Sequence, residues 1–178
     1  DGVDIRTLAL DALSGNISIV LQDAFIFSRS VAENISLGRR MERSEVEHVA
    51  ELVQARDFIE KLPGGFDSVM AERGALLSTG QKQLLCFARA LAHDPRILIL
   101  DEATSSVDPE TETRIQQAIK TLMQGRTSII IAHRLSTIKE ADEILVIDNG
   151  RILERGSHDA LLARRGIYYN LYLLQYAN

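Results

Sequence analysis

Short apolar runs alternate along this chain of 178 residues with longer stretches in which apolar positions recur at helical spacing. The runs predict five strands, at Ile17–Leu21, Ile97–Leu100, Ser128–Ala132, Glu143–Ile147 and Arg151–Glu154. Strands that alternate with helices favour a parallel sheet covered by helices on both faces, so the pattern predicts an α/β fold. The Asp148-Asn149-Gly150 turn between the last two strands predicts an antiparallel hairpin.

Polar residues mark where the longer helices begin. Ser78, with Gln81 at the third helical position, predicts the start of a helix that Asp94-Pro95 ends. Asp108-Pro109 predicts a second start, because Asp is a favoured cap and Pro suits the first helical position. Shorter helices are expected at Ser30–Leu37, from a Ser44 capping box to about Ala55, after Ser157, and at Gly166–Tyr176.

These elements group into two predicted parts. Residues 1–29 and 93–178 are expected to form an α/β core, and residues 30–92 a mainly helical subdomain beside it. Within that subdomain, the Leu62-Pro63-Gly64-Gly65 segment interrupts the helical pattern, so we expect irregular structure from there to Ala75.

Composition narrows the class of protein. A net charge of −5 argues against a nucleic-acid surface, which normally requires a basic face. The single cysteine, Cys86, cannot form an internal disulfide, and its place in an apolar helical stretch favours a buried thiol over a nucleophile. Because no apolar run approaches the roughly 18 to 20 residues needed to span a bilayer, we expect the chain itself to be soluble.

Three of the predicted strands end in chemically capable side chains. Gln22 follows the first of them, Asp101 and Glu102 end the second, and His133 follows the third. Because ligands bind at the carboxyl ends of the strands in an open parallel sheet, these four side chains predict one site. Taken singly, an acid after a strand is often only the cap of the next turn, and a lone histidine is more often structural.

The residue types suggest distinct roles at that site. Asp101 suits a water-mediated contact with Mg²⁺, which prefers oxygen ligands and keeps several waters. Glu102 can act as general base toward an attacking water, a role worth roughly 10² to 10⁴ in rate. His133 could hydrogen-bond a γ-phosphate oxygen, and Gln22 could orient water or a metal ligand.

A second candidate site lies at the start of the helix that Ser78 opens. Free backbone N–H groups and the helix dipole favour an anion there, and Gly80 lets the backbone approach a phosphate closely. From the local pattern alone, a plain capping box is the favoured interpretation. The usual phosphate-binding GxxxxGK[ST] loop does not occur in the sequence.

Five motifs, in this order and spacing, resemble the ATP-binding domain of ABC transporters. They are Leu21-Gln22-Asp23 (Q-loop), Leu77–Gln81 (signature), Ile97–Glu102 (Walker B), Ser105–Asp108 (D-loop) and His133 (switch histidine). Glu72-Arg73-Gly74 and the GRILERGSHDALLA segment resemble exporters of the lipid and multidrug type. The resemblance covers nearly the whole chain and implies a P-loop NTPase-like parallel sheet with a helical subdomain.

The resemblance implies an ATPase motor that works in pairs and uses ATP and Mg²⁺. Two such domains would enclose two ATP molecules, and the signature of each domain would contact the ATP held by the other. The residues implied to contact ATP are Ser78, Thr79, Gly80, Gln81 and Asp108. Glu102 would be the base, Asp101 the Mg²⁺ residue, and His133 and Gln22 the sensors of γ-phosphate and metal. Thr79 replaces the usual glycine of the signature, which we interpret as a variant.

The resemblance also implies partners and a location. A second ABC ATPase domain would complete a homo- or heterodimer, and residues 22–34 would receive the transmembrane domain at the cytoplasmic face of the membrane. The chain is expected to begin after the Walker A strand and loop. Without them, we expect the 178 residues alone neither to hydrolyse ATP detectably nor to stay monomeric, since neighbouring strands would present unpaired backbone groups.

Two other classes of protein remain open: a non-transport ABC ATPase, of chromosome, repair or translation-factor type, and a non-catalytic domain. Chromosome and repair ATPases of this type carry a long coiled coil, but only about 55 residues separate Gln22 from Leu77, without sustained heptads. A soluble translation-factor relative would carry two such domains in one longer chain. A non-catalytic or regulatory half-site of a heterodimer is disfavoured because both Glu102 and His133 are present.

Overall fold

The computed structural model of the chain describes residues 2–71, 74–101, 107–132 and 135–176. The backbone divides into two compact units, residues 1–130 and 131–178. The first contains a 3₁₀ turn (Ile5–Thr7), α1 (Leu10–Ser14), β1 (Ile17–Val20), α2 (Val31–Ser36), α3 (Arg43–Leu52), α4 (Arg56–Glu60), a 3₁₀ turn (Gly65–Asp67), α5 (Thr79–Ala92), β2 (Ile97–Asp101) and α6 (Pro109–Met123). β3 (Thr127–Ile131) ends at the boundary, and the second unit contains α7 (Leu135–Lys139), β4 (Ile144–Asp148), β5 (Arg151–Gly156), α8 (His158–Arg164) and α9 (Ile167–Tyr176).

The sheet of the first unit has the order β1-β2-β3, and β1 and β2 are parallel as predicted. Leu98 and Leu100 of β2 are buried, and their side chains lie on the face of the sheet that packs against the core. The prediction that helices cover both faces is wrong for the described residues: Ile19 is 59% and Ile129 56% exposed. Along β2 and β3 the burial alternates because successive side chains point to opposite faces, and among the described residues one of these faces is the more buried.

Helix α5 is the centre of the first unit. Its Leu84, Leu85 and Phe87 are all buried, and α2, α3, α6 and β1 pack around it. Burial on α5 extends beyond a single apolar stripe, because Gln83, Cys86 and Ala90 are buried as well. This surrounded position explains why an apolar helix of this length is stable here.

Two helical details differ from the sequence expectation. Helix α3 begins at Arg43 with Glu42 as the cap residue, whose N–H donates to the Glu45 carboxylate at 2.7 Å. The Ser44 capping box is therefore wrong, because the reciprocal bond lies two residues earlier in the chain. The predicted helix also ends at Leu52, and a separate helix, α4, buries Phe58 and Ile59 where none was expected.

The second unit is built on the predicted hairpin. β4 and β5 pair antiparallel, and Asn149 and Gly150 both have positive φ, as a tight two-residue hairpin turn requires. Ser157 caps α8 as predicted. The Glu154 carboxylate accepts hydrogen bonds from the N–H groups of Ile167 (2.9 Å) and Tyr168 (2.8 Å), so β5 supplies the cap of α9.

Candidate functional site

The first group of predicted site residues lies where β1 and β2 leave the sheet. Val20 pairs with Leu100 in parallel register, so the residues that follow, including Gln22 and Asp101, emerge at the same edge. Gln22 is exposed and Asp101 is half-buried, which leaves both side chains within reach of a ligand. The sequence prediction for these two residues therefore agrees with the register of the sheet.

Several predicted residues lie outside the described residues. Glu102 and His133, the predicted base and switch histidine, are among them, and so are Glu72, Arg73, Ser105 and Ser106 of the neighbouring motifs. Their roles stay predictions.

The oxygen donors of this sheet edge fit Mg²⁺. A carboxylate (Asp101) and an amide (Gln22) are hard oxygen ligands, which is the donor type that Mg²⁺ prefers. Within the described ranges, no group of three or more His, Cys, Asp or Glu side chains could hold a metal ion. Mg²⁺ that arrives with a nucleotide needs no such cluster, because phosphates and water supply most of its ligands.

The second group of predicted residues forms the start of α5. Ser78 Oγ accepts a hydrogen bond from the Gln81 N–H (3.2 Å), and Gln81 Oε1 accepts one from the Ser78 N–H (3.0 Å). The predicted capping box is thus confirmed. Helical geometry leaves the N–H groups of Thr79 and Gly80 without an intrahelical acceptor. An anion at this end would meet those two groups first, and the Gln81 N–H only if Ser78 Oγ releases it.

Asp108 caps the start of α6 in a similar way. Its Oδ1 accepts a hydrogen bond from the Thr111 N–H at 2.9 Å. That backbone bond is the main reason why the pKa of Asp108 lies below its usual range. The exposed carboxylate therefore carries a negative charge at neutral pH.

Gly80 brings the two helix starts together. A Cβ atom on this residue would collide with Cγ2 of Thr111 and lie 3.2 Å from Cγ1 of Val107. The glycine therefore allows the first turn of α5 to pack directly against the first turn of α6. This packing gives Gly80 a structural purpose besides the close approach to phosphate that the sequence predicts.

A cleft of about 280 Å³ between β1 and α5 adjoins the first group, because Leu21 and Asp23, on either side of Gln22, line it. It is lined by residues that include Leu21, Phe25, Cys86 and Arg89, but not by the predicted ATP-contacting residues. Cys86 is buried there, and desolvation raises the pKa of its thiol, which disfavours the reactive thiolate. The prediction of a buried thiol is confirmed.

Sequence reasoning missed a polar network beside this cleft. Arg89 of α5 donates hydrogen bonds to the backbone carbonyls of Asn34 (2.9 Å) and Phe25 (3.0 Å). The available signal was an arginine inside an apolar helix, since a buried guanidinium requires acceptors.

Comparison with known proteins decides the family. A family model described as "ABC transporter" matches residues 1–105. The chain belongs to the ABC transporter family. The resemblance of its motifs to the ATP-binding domain of an exporter-type ABC transporter is confirmed by the relatives and by a solved exporter structure. The predicted α/β fold class is confirmed with it.

Three relatives illustrate the similarity. The chain is 54% identical to the uncharacterized ABC transporter ATP-binding protein YknV of Bacillus subtilis, over 99% of this chain and 30% of that protein. It is 48% identical to the ATP-dependent lipid A-core flippase of Sodalis glossinidius, over 99% and 31% of the two chains. It is also 48% identical to the probable multidrug resistance ABC transporter ATP-binding/permease protein YheH of B. subtilis, over 98% and 26%.

A solved structure of a bacterial Atm1-family ABC exporter with ATP bound has a TM-score of 0.89 to this chain. The two are 42% identical, and the match covers 99% of this chain and 31% of that one. The chain thus spans about 30% of the length of these ABC transporter relatives. Among the described residues, no helix combines the length and apolar character that a membrane crossing requires.

Proposed function

We propose that this chain is the hydrolytic and dimer-facing part of the ATPase motor of an ABC exporter. The observation that carries the proposal is the register of β1 and β2, which brings Gln22 and Asp101 to one sheet edge. In an ABC transporter chain, these are the Q-loop and Walker B side chains. ATP with Mg²⁺ supplies the phosphoryl group, and this edge of the chain supplies the groups that orient and activate water.

Each predicted catalytic or metal-binding residue has a proposed task. Asp101 would hold Mg²⁺ through water, and Gln22 would orient the metal or the attacking water. Glu102 takes the proton of that water as general base, and His133 donates a hydrogen bond to a γ-phosphate oxygen. The support is the agreement between these residue types and the charge that develops during phosphoryl transfer.

The paired helix starts are proposed to serve a second ATPase domain. Ser78 and the N–H groups of Thr79 and Gly80 would contact the γ-phosphate of an ATP held by the other domain, with Gln81 joining when its cap bond opens. Asp108 would reach toward the Walker A loop of that domain. What supports this is that Gly80 packs the two helix starts side by side, so both can face one partner.

The exporter's membrane portion is the second proposed partner. YheH is named as an ATP-binding/permease protein, and the match covers 26% of the length of YheH. We propose that a permease portion docks on residues 22–34, where Phe25 and Phe27 are exposed, at the cytoplasmic face of the membrane. The transported compound belongs to the lipid or multidrug class, on the similarity to the flippase and YheH. No nucleic acid is involved.

The isolated 178 residues are proposed to lack ATPase activity. Their sequence contains no GxxxxGK[ST] loop, whose backbone N–H groups and lysine hold the β- and γ-phosphates in P-loop enzymes. Turnover assays with MgATP at millimolar concentration and light scattering test this. Robust hydrolysis by a monomeric sample of the chain would overturn it.

The decisive experiment uses the complete transporter polypeptide that carries this chain. Glu102→Gln should lower ATP turnover by about 10² or more while nucleotide binding persists, because the variant loses only the base. Glu60→Gln is the matched control, since that acid lies exposed on α4 and, among the described residues, its ion pair is with Arg56. Persistent turnover in Glu102→Gln would remove the base assignment, and a wild-type protein that binds ATP without hydrolysing it would favour the regulatory half-site.

A further inference from the structure

Arg89 makes a three-armed contact from α5 to the segment that follows β1. Its Nε donates to the Asn34 carbonyl at 2.9 Å, Nη1 to the Phe25 carbonyl at 3.0 Å, and Nη2 to Asn34 Oδ1 at 3.1 Å. The guanidinium carbon also lies 5.2 Å from the centre of the Phe27 ring. A planar guanidinium can serve these acceptors and stack on a ring at once, whereas a lysine ammonium cannot.

Asn34 completes the contact from within α2. It is fully buried, and its side chain brackets the backbone of Phe27: Oδ1 accepts from the Phe27 N–H at 2.8 Å, and Nδ2 donates to the Phe27 carbonyl at 2.9 Å. Nδ2 also reaches the Ser30 carbonyl at 3.0 Å. Because buried amides are costly without partners, this arrangement defines one conformation of the loop.

The loop held in this way presents two aromatic rings to solvent. Phe25 is 52% and Phe27 37% exposed, and their rings meet edge to face with centroids 4.9 Å apart. Folding alone would favour the burial of both rings. Instead, a half-buried arginine and a buried asparagine hold the segment that carries both rings at the surface.

We propose that Arg89 and Asn34 are positioning residues that tie the Phe25/Phe27 pair to the signature helix. Arg89 lies eleven residues after Ser78 on α5, or about 16 Å along the axis of one continuous helix. A displacement of the aromatic pair by a docked permease is therefore carried through Arg89 into the helix whose first turn contacts the partner's nucleotide. The inference rests on the proposed function and adds the residues that link its two binding surfaces.

The first test measures turnover in the complete transporter polypeptide, reconstituted in phosphatidylethanolamine–phosphatidylglycerol vesicles with MgATP. Arg89→Lys keeps the positive charge and loses the planar fork, so we expect kcat to fall about five- to tenfold while the KM for MgATP stays unchanged. Arg56→Lys is the matched control, because the ion pairs described for Arg56, with Glu47, Glu51 and Glu60, lie at the surface, and it should leave both constants unchanged.

The second test separates positioning from a purely structural role. Hydrogen exchange of the Phe27 amide should accelerate in Arg89→Lys, because the Asn34 acceptor loses its support. Phe27→Leu removes the held ring at the surface, should lower kcat similarly, and should add little to Arg89→Lys in the double variant. If Arg89→Lys does not fold, the test uses Phe27→Leu instead, with its kcat and the hydrogen-exchange rate of the amide at position 27 as the two measurements.

The outcomes distinguish the inference from the proposed function. Unchanged kcat in Arg89→Lys or Phe27→Leu, or losses that simply add, would overturn the positioning role. A fall in kcat that merely follows lost thermal stability and a raised KM would do the same. If the wild-type polypeptide hydrolysed no ATP, the proposed function would be wrong. An unchanged hydrogen-exchange rate of the Phe27 amide in Arg89→Lys would, independently of that, overturn the positioning role of Arg89 and Asn34.

Discussion

Helix α5 and the three-stranded sheet are both apolar, but their surroundings differ. Around α5, other elements of the first unit bury Leu84 and Leu85 and supply acceptors for Arg89. Among the described residues, the sheet buries one face only, and Ile129 and Ile131 remain 56% exposed on the other. Apolar side chains in the two regions therefore contribute unequally to stability, because the contribution depends on the area removed from water.

The largest expected effect contrasts one side chain from each region. Leu85→Ala should lower the free energy of unfolding by about 2–5 kcal/mol, because it leaves a cavity in the core. Ile129→Thr, which keeps the β-branched shape on the exposed face, should change it by less than about 0.5 kcal/mol. Urea unfolding of the chain measures both, and equal losses would mean that the exposed face is covered in solution.

A smaller effect is expected where α5 meets α6. Gly80→Ala should destabilise the chain by about 1 kcal/mol, because overpacking against Thr111 outweighs the higher helix propensity of alanine. Thr111→Ser removes the methyl group that a Cβ at Gly80 would strike, so it should restore much of the loss in the double variant. Unfolding midpoints of the four proteins in the cycle test this, and strictly additive losses would contradict direct packing.

The smallest effect concerns the cap of α6 and appears only in acid. The folded-state pKa of Asp108 is lowered, so its stabilising contribution is complete above the ordinary carboxyl pKa of 3.8 and is lost as the pH falls through the lower folded value. Asp108→Asn keeps a good cap without a titrating group. Its stability should therefore decline less between pH 4 and pH 2 than that of the parent, at matched urea concentration. Parallel declines would show that the cap bond does not depend on the charge.

Sequence reasoning was accurate where the signals were local. The caps at Ser78, Asp108 and Ser157 and the turn at Asn149-Gly150 each depend on residues within one turn of chain, and all were predicted. It failed where two similar signals compete over a few residues, as at Glu42 and Ser44. The roles of Glu102 and His133 stay predictions.

The sequence by itself determined the order of the strands, the starts of α5, α6 and α8, the family motifs and hence the sheet edge at which Gln22 and Asp101 emerge. These follow from short-range hydrogen bonding and from hydrophobic periodicity. Only the tertiary structure decided which face of the sheet is buried, why Gly80 has no side chain, and how Arg89 holds Phe25 and Asn34. Those features involve contacts between residues as many as 64 positions apart in the sequence. The pattern of apolar and polar residues does not indicate which distant acceptor a given donor will contact.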